Sequence, residues 1–369
     1  SRLRRQNAWD LQDAGAAWAD WFDADRGPAV TRALLAKLGL AADGLTEAEQ
    51  LAAYERAAIE RRKRFLTPFL GRCERVAFVK HGPLGGSHYA YTEAVSDAQA
   101  ERNFVPGAAL CVLNLADGRV EELINTVTGV IRDPDVSYDG RRILFSWKQS
   151  DRGDDFHLYE LDVASRAVRQ LTFGLGVADY EGAYLPGGDI VFNSTRCQSF
   201  GRCHWGRYTP AFLIYRADAD GSNIRQLSYG EANEWEPAVL NDGRLVYTRW
   251  DYINRNAVWY QSLWTMKPDG TGTAHFYGNY TMHPGIQTEA QPIPGSHVVV
   301  ATAAAHHYVT AGSLLLIDTR KGEDGPAPLT RLTPEIPWPE SEGWSLPGCY
   351  AAPVPVNDTL FFASFSEES

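Results

Sequence analysis

The residues of this sequence best suited to hold a transition metal are Cys197, Cys203 and His204, together with the adjacent pair His306 and His307. Thiolate and imidazole are the donors zinc favours. A second group has the types for acid–base work on an anionic substrate: Arg249, Asp251 and Tyr252 in one short stretch, joined by His306. There an arginine neutralises a carboxylate while a histidine or tyrosine takes the neighbouring proton. Acidic residues recur at Asp133, Asp179, Glu181, Glu234, Glu236 and Glu289, with His81, His88 and His283 in comparable places. Each signal also has a structural explanation. Cys197 and Cys203 are spaced for a small disulfide loop as well as for a metal. One of two adjacent histidines on a strand points inward. Acids repeated from copy to copy suit backbone hydrogen bonding at strand starts. Arg196 and Arg249 either pair with those carboxylates across neighbouring repeats or clamp an anionic substrate.

The elements that must position these residues repeat along the chain. Asp133-Pro-Asp-Val-Ser-Tyr-Asp-Gly140 leads into an apolar strand, and similar copies start at Asp179 and Glu234, with weaker ones at Glu289 and Tyr350. Each clear copy joins two short strands by an Asp-Gly or Gly-Gly turn, the chemistry of a tight hairpin. A second hairpin follows, as in Phe156–Asp162 before Val168–Thr172. Four strands at a period of roughly 45–60 residues predict an all-β fold, a β-propeller of about six four-stranded blades. Connections from strand two to three, and from strand four to the next strand one, then share a face. The candidate residues above collect on that face. The last blade, Tyr350 to Phe365, has two strands, so either the first segment closes the ring or, the favoured expectation, the natural chain continues beyond Ser369 into a further domain or partner subunit.

Residues 1–71 read as an α-helical segment ahead of a propeller over 72–369. Pro28 suits a first helical turn, and Thr46-Glu-Ala-Glu49 has the capping-box pattern. The basic run Glu60–Arg64 fits a helix C-terminus on a solvated face. The net charge of -11 makes a nucleic-acid groove a poor expectation, and no apolar run is long enough to span a membrane. The sequence opens at Ser1, without an initiator Met or a signal-peptide pattern and inside a helical pattern, which suggests a processed or trimmed start. Nucleophile-elbow, phosphate-loop, dinucleotide-fold and His-Glu-x-x-His motifs are absent, so serine hydrolysis and nucleotide chemistry are unsupported.

The stretch from Asp133 to about Asp318 resembles the propeller part of the hydrazine synthase alpha-subunit-like family, within the TolB-like β-propellers. The carrying residues are the Asp133–Gly140 motif, Leu185-Pro-Gly-Gly-Asp-Ile-Val-Phe192 with Ser194-Thr-Arg-Cys197, and Tyr247-Thr-Arg-Trp-Asp-Tyr252. Met266-Lys-Pro-Asp-Gly-Thr-Gly272, Phe276-Tyr-Gly-Asn279 and His306-His307 also fit, and Gly85-Gly-Ser-His88 extends the likeness toward the N-terminus. The resemblance implies an exported bacterial protein, periplasmic or secreted, with a six-bladed propeller. In the named enzyme this part lies beside c-type haem domains and contributes to a haem and zinc centre. By that analogy Cys197 is carried over as a metal ligand. The chain has no Cys-x-x-Cys-His, so it does not bind c-type haem in the usual way. Three readings stand: a metal-binding module with zinc on Cys197, His204 and His307, serving redox or metal-assisted chemistry; a non-catalytic protein-interaction scaffold; and a polysaccharide lyase acting on a uronate glycan through His306, Arg249, Asp251 and Tyr252.

Overall fold

The structure is a computed structural model that describes residues 13–14, 17, 20–21, 23–71, 73–82, 104–150, 153–201, 210–256, 258–306, 311–339 and 348–366. The chain divides into two compact units, Ser1–Val76 with Asn114–Arg119, and Ala77–Leu113 with Val120–Ser369.

The first unit holds α1 (Gly27–Lys37) and α2 (Glu47–Leu66). Pro28 occupies the first turn of α1. Thr46 caps α2 as its spacing predicts: its hydroxyl accepts the Glu49 amide, and the Glu49 carboxylate accepts the Thr46 amide at 2.7 Å. The Trp21 indole donates to Thr31 at 2.9 Å and meets the Tyr54 ring edge-on at 5.3 Å, closing a small core. Lys63 and Arg64 end α2 on its exposed side, while Arg61 turns back to Asp13 at 2.6 Å.

The second unit is built from short antiparallel meanders, the period the hairpin signals require. Three strands come first, β1 (Arg75–His81), β2 (Ala108–Asn114) and β3 (Val120–Thr126). The first four-stranded repeat is β4 (Val130–Val136), β5 (Arg142–Lys148), β6 (His157–Asp162) and β7 (Val168–Gln170). The next is β8 (Asp179–Tyr184), β9 (Ile190–Ser194), β10 (Leu213–Ala217) and β11 (Arg225–Gln226). It is followed by β12 (Glu234–Val239), β13 (Leu245–Trp250), β14 (Gln261–Met266) and β15 (Ala274–Tyr277). Then come β16 (Ile286–Pro292), β17 (Val299–Ala304), β18 (Gly312–Ile317) and β19 (Leu329–Arg331), and last β20 (Cys349–Pro355) with β21 (Phe361–Ser366).

The described residues therefore form a curled, mostly β array of four complete repeats between a three-stranded and a two-stranded one. They do not form a closed ring of six, the arrangement the repeat count predicts. The first strands β4, β8, β12, β16 and β20 contact one another in turn and make the inner edge of the array. Apolar faces of neighbouring repeats pack between them, as where Ile143, Phe145, Tyr180, Phe212 and Trp235 share one cluster. Third-to-fourth-strand turns also lean on the preceding repeat. A Cβ on Gly221 would lie 2.0 Å from the Leu171 carbonyl oxygen, so only glycine fits that turn, whose φ is +86°.

Candidate functional site

Every first strand carries a bulge at the same place, and the residue there is left-handed: Asp133, Glu181, Glu236, Glu289 and Ala352, with φ between 51° and 54°. The bulge re-aims these side chains toward the next repeat. The Asp133 carboxylate accepts the Glu181 amide at 3.1 Å, and Glu181 accepts the Glu236 amide at 3.0 Å. Glu236 accepts the Glu289 amide at 2.5 Å, and Glu289 accepts the Ala352 amide at 2.7 Å. Second-strand side chains brace the same carboxylates: Ser146 on Asp133 at 3.0 Å, Asn193 on Glu181, and Thr302 on Glu289 at 2.6 Å. Arg132 bridges Asp133 at 2.9 Å and Glu181 at 3.0 Å. The repeated acids thus accept backbone hydrogen bonds, in a ladder that staples each repeat to the next. Burial, with Glu236 and Asp133 adding to it, raises the Glu181 carboxyl well above its usual range against the opposing pull of Arg132. Burial and Glu289 push Glu236 up to about 8.

Two residues before the ladder, Asp179 and Glu234 begin their strands. Arg196 grips Asp179 through Nε at 2.9 Å and Nη2 at 2.6 Å, and Nη2 also donates to the Phe173 carbonyl. Arg249 lies 2.9 Å from Asp251 and 3.7 Å from Glu234, with its guanidinium 4.5 Å over Trp264. Both arginines pair inside their own repeat, not across neighbouring ones. Nor are they equivalent: Arg249 sits opposite Glu234 in the ladder register, whereas Ser194 sits opposite Asp179 and Arg196 follows two residues later.

The catalytic candidates separate into two clusters because side chains alternate along a strand. Arg249 and Asp251 share the Trp264 side. Trp250 and Tyr252 point to the other, where their rings meet edge-on at 5.2 Å. Trp250 also meets His306 at 5.4 Å, and the His306 Nδ1 is hydrogen-bonded by the Gln261 amide. His306 is buried, while Tyr252 is half-buried against the main core. Asp251 takes a second arginine, Arg255, at 3.6 Å, and the Tyr252 and Ile253 amides both donate to Glu231. An arginine on one side and a histidine and tyrosine on the other do not converge on one substrate atom, which the lyase mechanism requires.

Cys197 is a half-buried free thiol beside Phe192 and Tyr215; its Sγ donates to the Ala211 carbonyl at 3.3 Å, and burial pushes the thiol pKa up. Cys203, His204, His307 and His88 lie outside the described residues. Among the described residues, no group of three or more His, Cys, Asp and Glu side chains is arranged to hold a metal. Cys197 donates its thiol hydrogen to a carbonyl here, and a metal on this sulfur would displace that proton. His81 contacts its neighbour's carbonyl and His283 packs on Trp259. Two participants escaped sequence reasoning. His157, buried and 3.7 Å from Asp179, carried only the alternation of β6 as a signal, and Gln261 carried none.

No family model matches this sequence, and no curated protein matches it. Solved structures do. Hydrazine synthase of Kuenenia stuttgartiensis superposes with a TM-score of 0.60 at 15% identity, covering 80% of this chain and 42% of that one. The fold is of the β-propeller type. TolB from Acinetobacter baumannii follows at a TM-score of 0.49 and 12% identity, over 85% of this chain and 67% of that one. Oligogalacturonate lyase from Vibrio parahaemolyticus gives 0.43 and 10%, over 80% and 85%. The chain spans less than half the length of the hydrazine synthase chain it matches. No described helix is long and apolar enough to cross a membrane.

Proposed function

We propose that this chain is the propeller module of an exported, hydrazine-synthase-alpha-like protein, closing as six blades, and that it works by binding a protein partner at one end of its strands. The observation that carries this is where exposed apolar side chains fall. Among the described residues, seven large ones are more than 60% exposed. Val127, Phe173, Leu175, Tyr229 and Tyr280 lie on connections leading into a first strand, and Phe200 on a second-to-third connection. All six therefore leave from the same strand ends; Tyr138 alone sits at the opposite ends. Burying such a side chain contributes about 1.5–3 kcal/mol, so apolar side chains held in water along one set of strand ends favour a partner. The charged candidates, by contrast, are satisfied within the chain.

A photo-crosslinking residue at Phe173 or Tyr229, compared with one at Tyr138, tests the reading in the producing cell. Discrete heavier adducts are expected from the first two positions and not from the third. Adducts from all three alike, or from none, would sink it.

Zinc on Cys197, His204 and His307 is the second reading, because Cys197 stands on the β9–β10 connection that also carries Cys203 and His204. Elemental analysis separates the two. The partner-binding reading expects purified protein with metal far below one per chain, unchanged by Cys197→Ser. Stoichiometric zinc that disappears in that variant would make the metal reading the working one.

A further inference from the structure

We propose that Glu236, set between Glu181 and Glu289 on the carboxylate ladder, holds a proton, and that losing it loosens the junction between the β8–β11 and β12–β15 repeats, making the inner edge of the array a pH-sensitive lock. Two amides of β12 bond across this junction, Glu236 to the Glu181 carboxylate at 3.0 Å and Glu234 to the Phe212 carbonyl at 3.1 Å. The following junction is closed by the Glu289 amide on the Glu236 carboxylate. The two carboxylates are therefore consecutive rungs, and a third, Glu289, stands beyond them. The groups facing the pair are Arg132 and Asp133 from β4, Asn193 from β9, and Thr288 and Glu289 from β16, with Tyr180 beside Glu181. Arg132 reaches Asp133 and Glu181 directly, at the start of the ladder. Glu236 meets a hydroxyl, an amide and two neighbouring carboxylates, and the Arg132 charge opposes its rise without bonding to it.

A neutral carboxyl still accepts the amide of the next repeat through its carbonyl oxygen. The charged form accepts it too, but adds repulsion between like charges held on adjacent strands, in a site where burial weakens screening. The proton thus decides whether the rung only holds or also repels. The direction follows from linkage: the folded Glu236 value of about 8 lies above the ordinary 4.5. Its contribution to stability is therefore full below about 4.5 and lost as pH rises through about 8.

Backbone hydrogen exchange of the full chain at pH 6 and pH 9, corrected for intrinsic rates, reads the lock directly at the Glu236 and Glu289 amides. In the unmodified protein, protection there is expected to fall about tenfold or more between the two values, the span of one pKa unit or greater. Glu236→Gln keeps the acceptor oxygen and removes the charge, so its protection should change by less than about twofold. Equal protection at both pH values in the unmodified protein, or the same fall in Glu236→Gln, overturns the proposal. If Glu236→Gln does not fold, Glu181→Gln is put to the same comparison with the same expectations. A merely structural acceptor would weaken alike at both pH values.

Discussion

Replacing Arg196 with methionine is expected to remove about 3–5 kcal/mol of stability at neutral pH, the cost of stranding a buried charge. Its partner Asp179 is fully buried, and Arg196 closes on it with two parallel hydrogen bonds at 2.9 and 2.6 Å. Burial alone would raise the Asp179 carboxyl; His157 and Arg196 more than offset it and hold it below the usual carboxylate range. A lowered folded value means the pair stabilises the fold above the ordinary carboxylate value and loses that effect as pH falls through the folded one. Without the guanidinium, burial dominates and the carboxyl titrates upward. The deficit of Arg196→Met should therefore be largest at pH 7 and shrink toward pH 5 in urea unfolding. The double variant Asp179→Asn with Arg196→Met should recover part of the loss, because no buried charge is left behind. A deficit under about 1 kcal/mol, or one independent of pH, would mean that Asp179 reaches water and that the pair is an ordinary surface ion pair.

Much of this arrangement was legible from residue types, and the parts that were not have identifiable causes. The capping box at Thr46 and the hairpin turns at Asp139-Gly140 and Asp242-Gly243 are local chemistry, and local chemistry reads directly from sequence. The repetition of Asp133, Glu181, Glu236 and Glu289 pointed to backbone acceptors, which they are. Their left-handed conformation was not legible, since it comes from a bulge imposed by strand pairing and not from any preference of glutamate. The within-repeat pairing of Arg196 was hidden for a related reason. It depends on a register in which Ser194, not Arg196, lies opposite Asp179. The separation of Arg249 and Asp251 from Trp250 and Tyr252 followed from strand alternation alone and was available in the sequence. What lay beyond reach was the spatial neighbour: nothing in the chain order says that Gln261 meets His306 across 45 positions.

Trp235→Ala is expected to cost about 3–5 kcal/mol, the largest loss from any single core truncation on the inner edge. Trp235 is 1% exposed and ends a line of rings that crosses three repeats: Phe156 to Tyr180 at 6.3 Å, Tyr180 to Phe212 at 5.7 Å, and Phe212 to Trp235 at 6.3 Å. Its indole reaches the following repeat, donating to the Thr288 hydroxyl at 3.0 Å. The same hydroxyl is bonded to Glu236, so the ring line and the carboxylate ladder meet at Thr288. Trp235→Phe separates the two contributions. It keeps most of the apolar volume and loses the indole bond, so it should cost about 1 kcal/mol for that bond, plus a smaller packing penalty. Thr288 keeps its carboxylate partner in both variants, which limits the damage from an unsatisfied hydroxyl. Because the line spans three repeats, the loss should shift one cooperative urea transition as a whole. Two transitions in Trp235→Ala, one of them unmoved, would show that the repeats on either side of Trp235 unfold separately and that the ladder alone joins them.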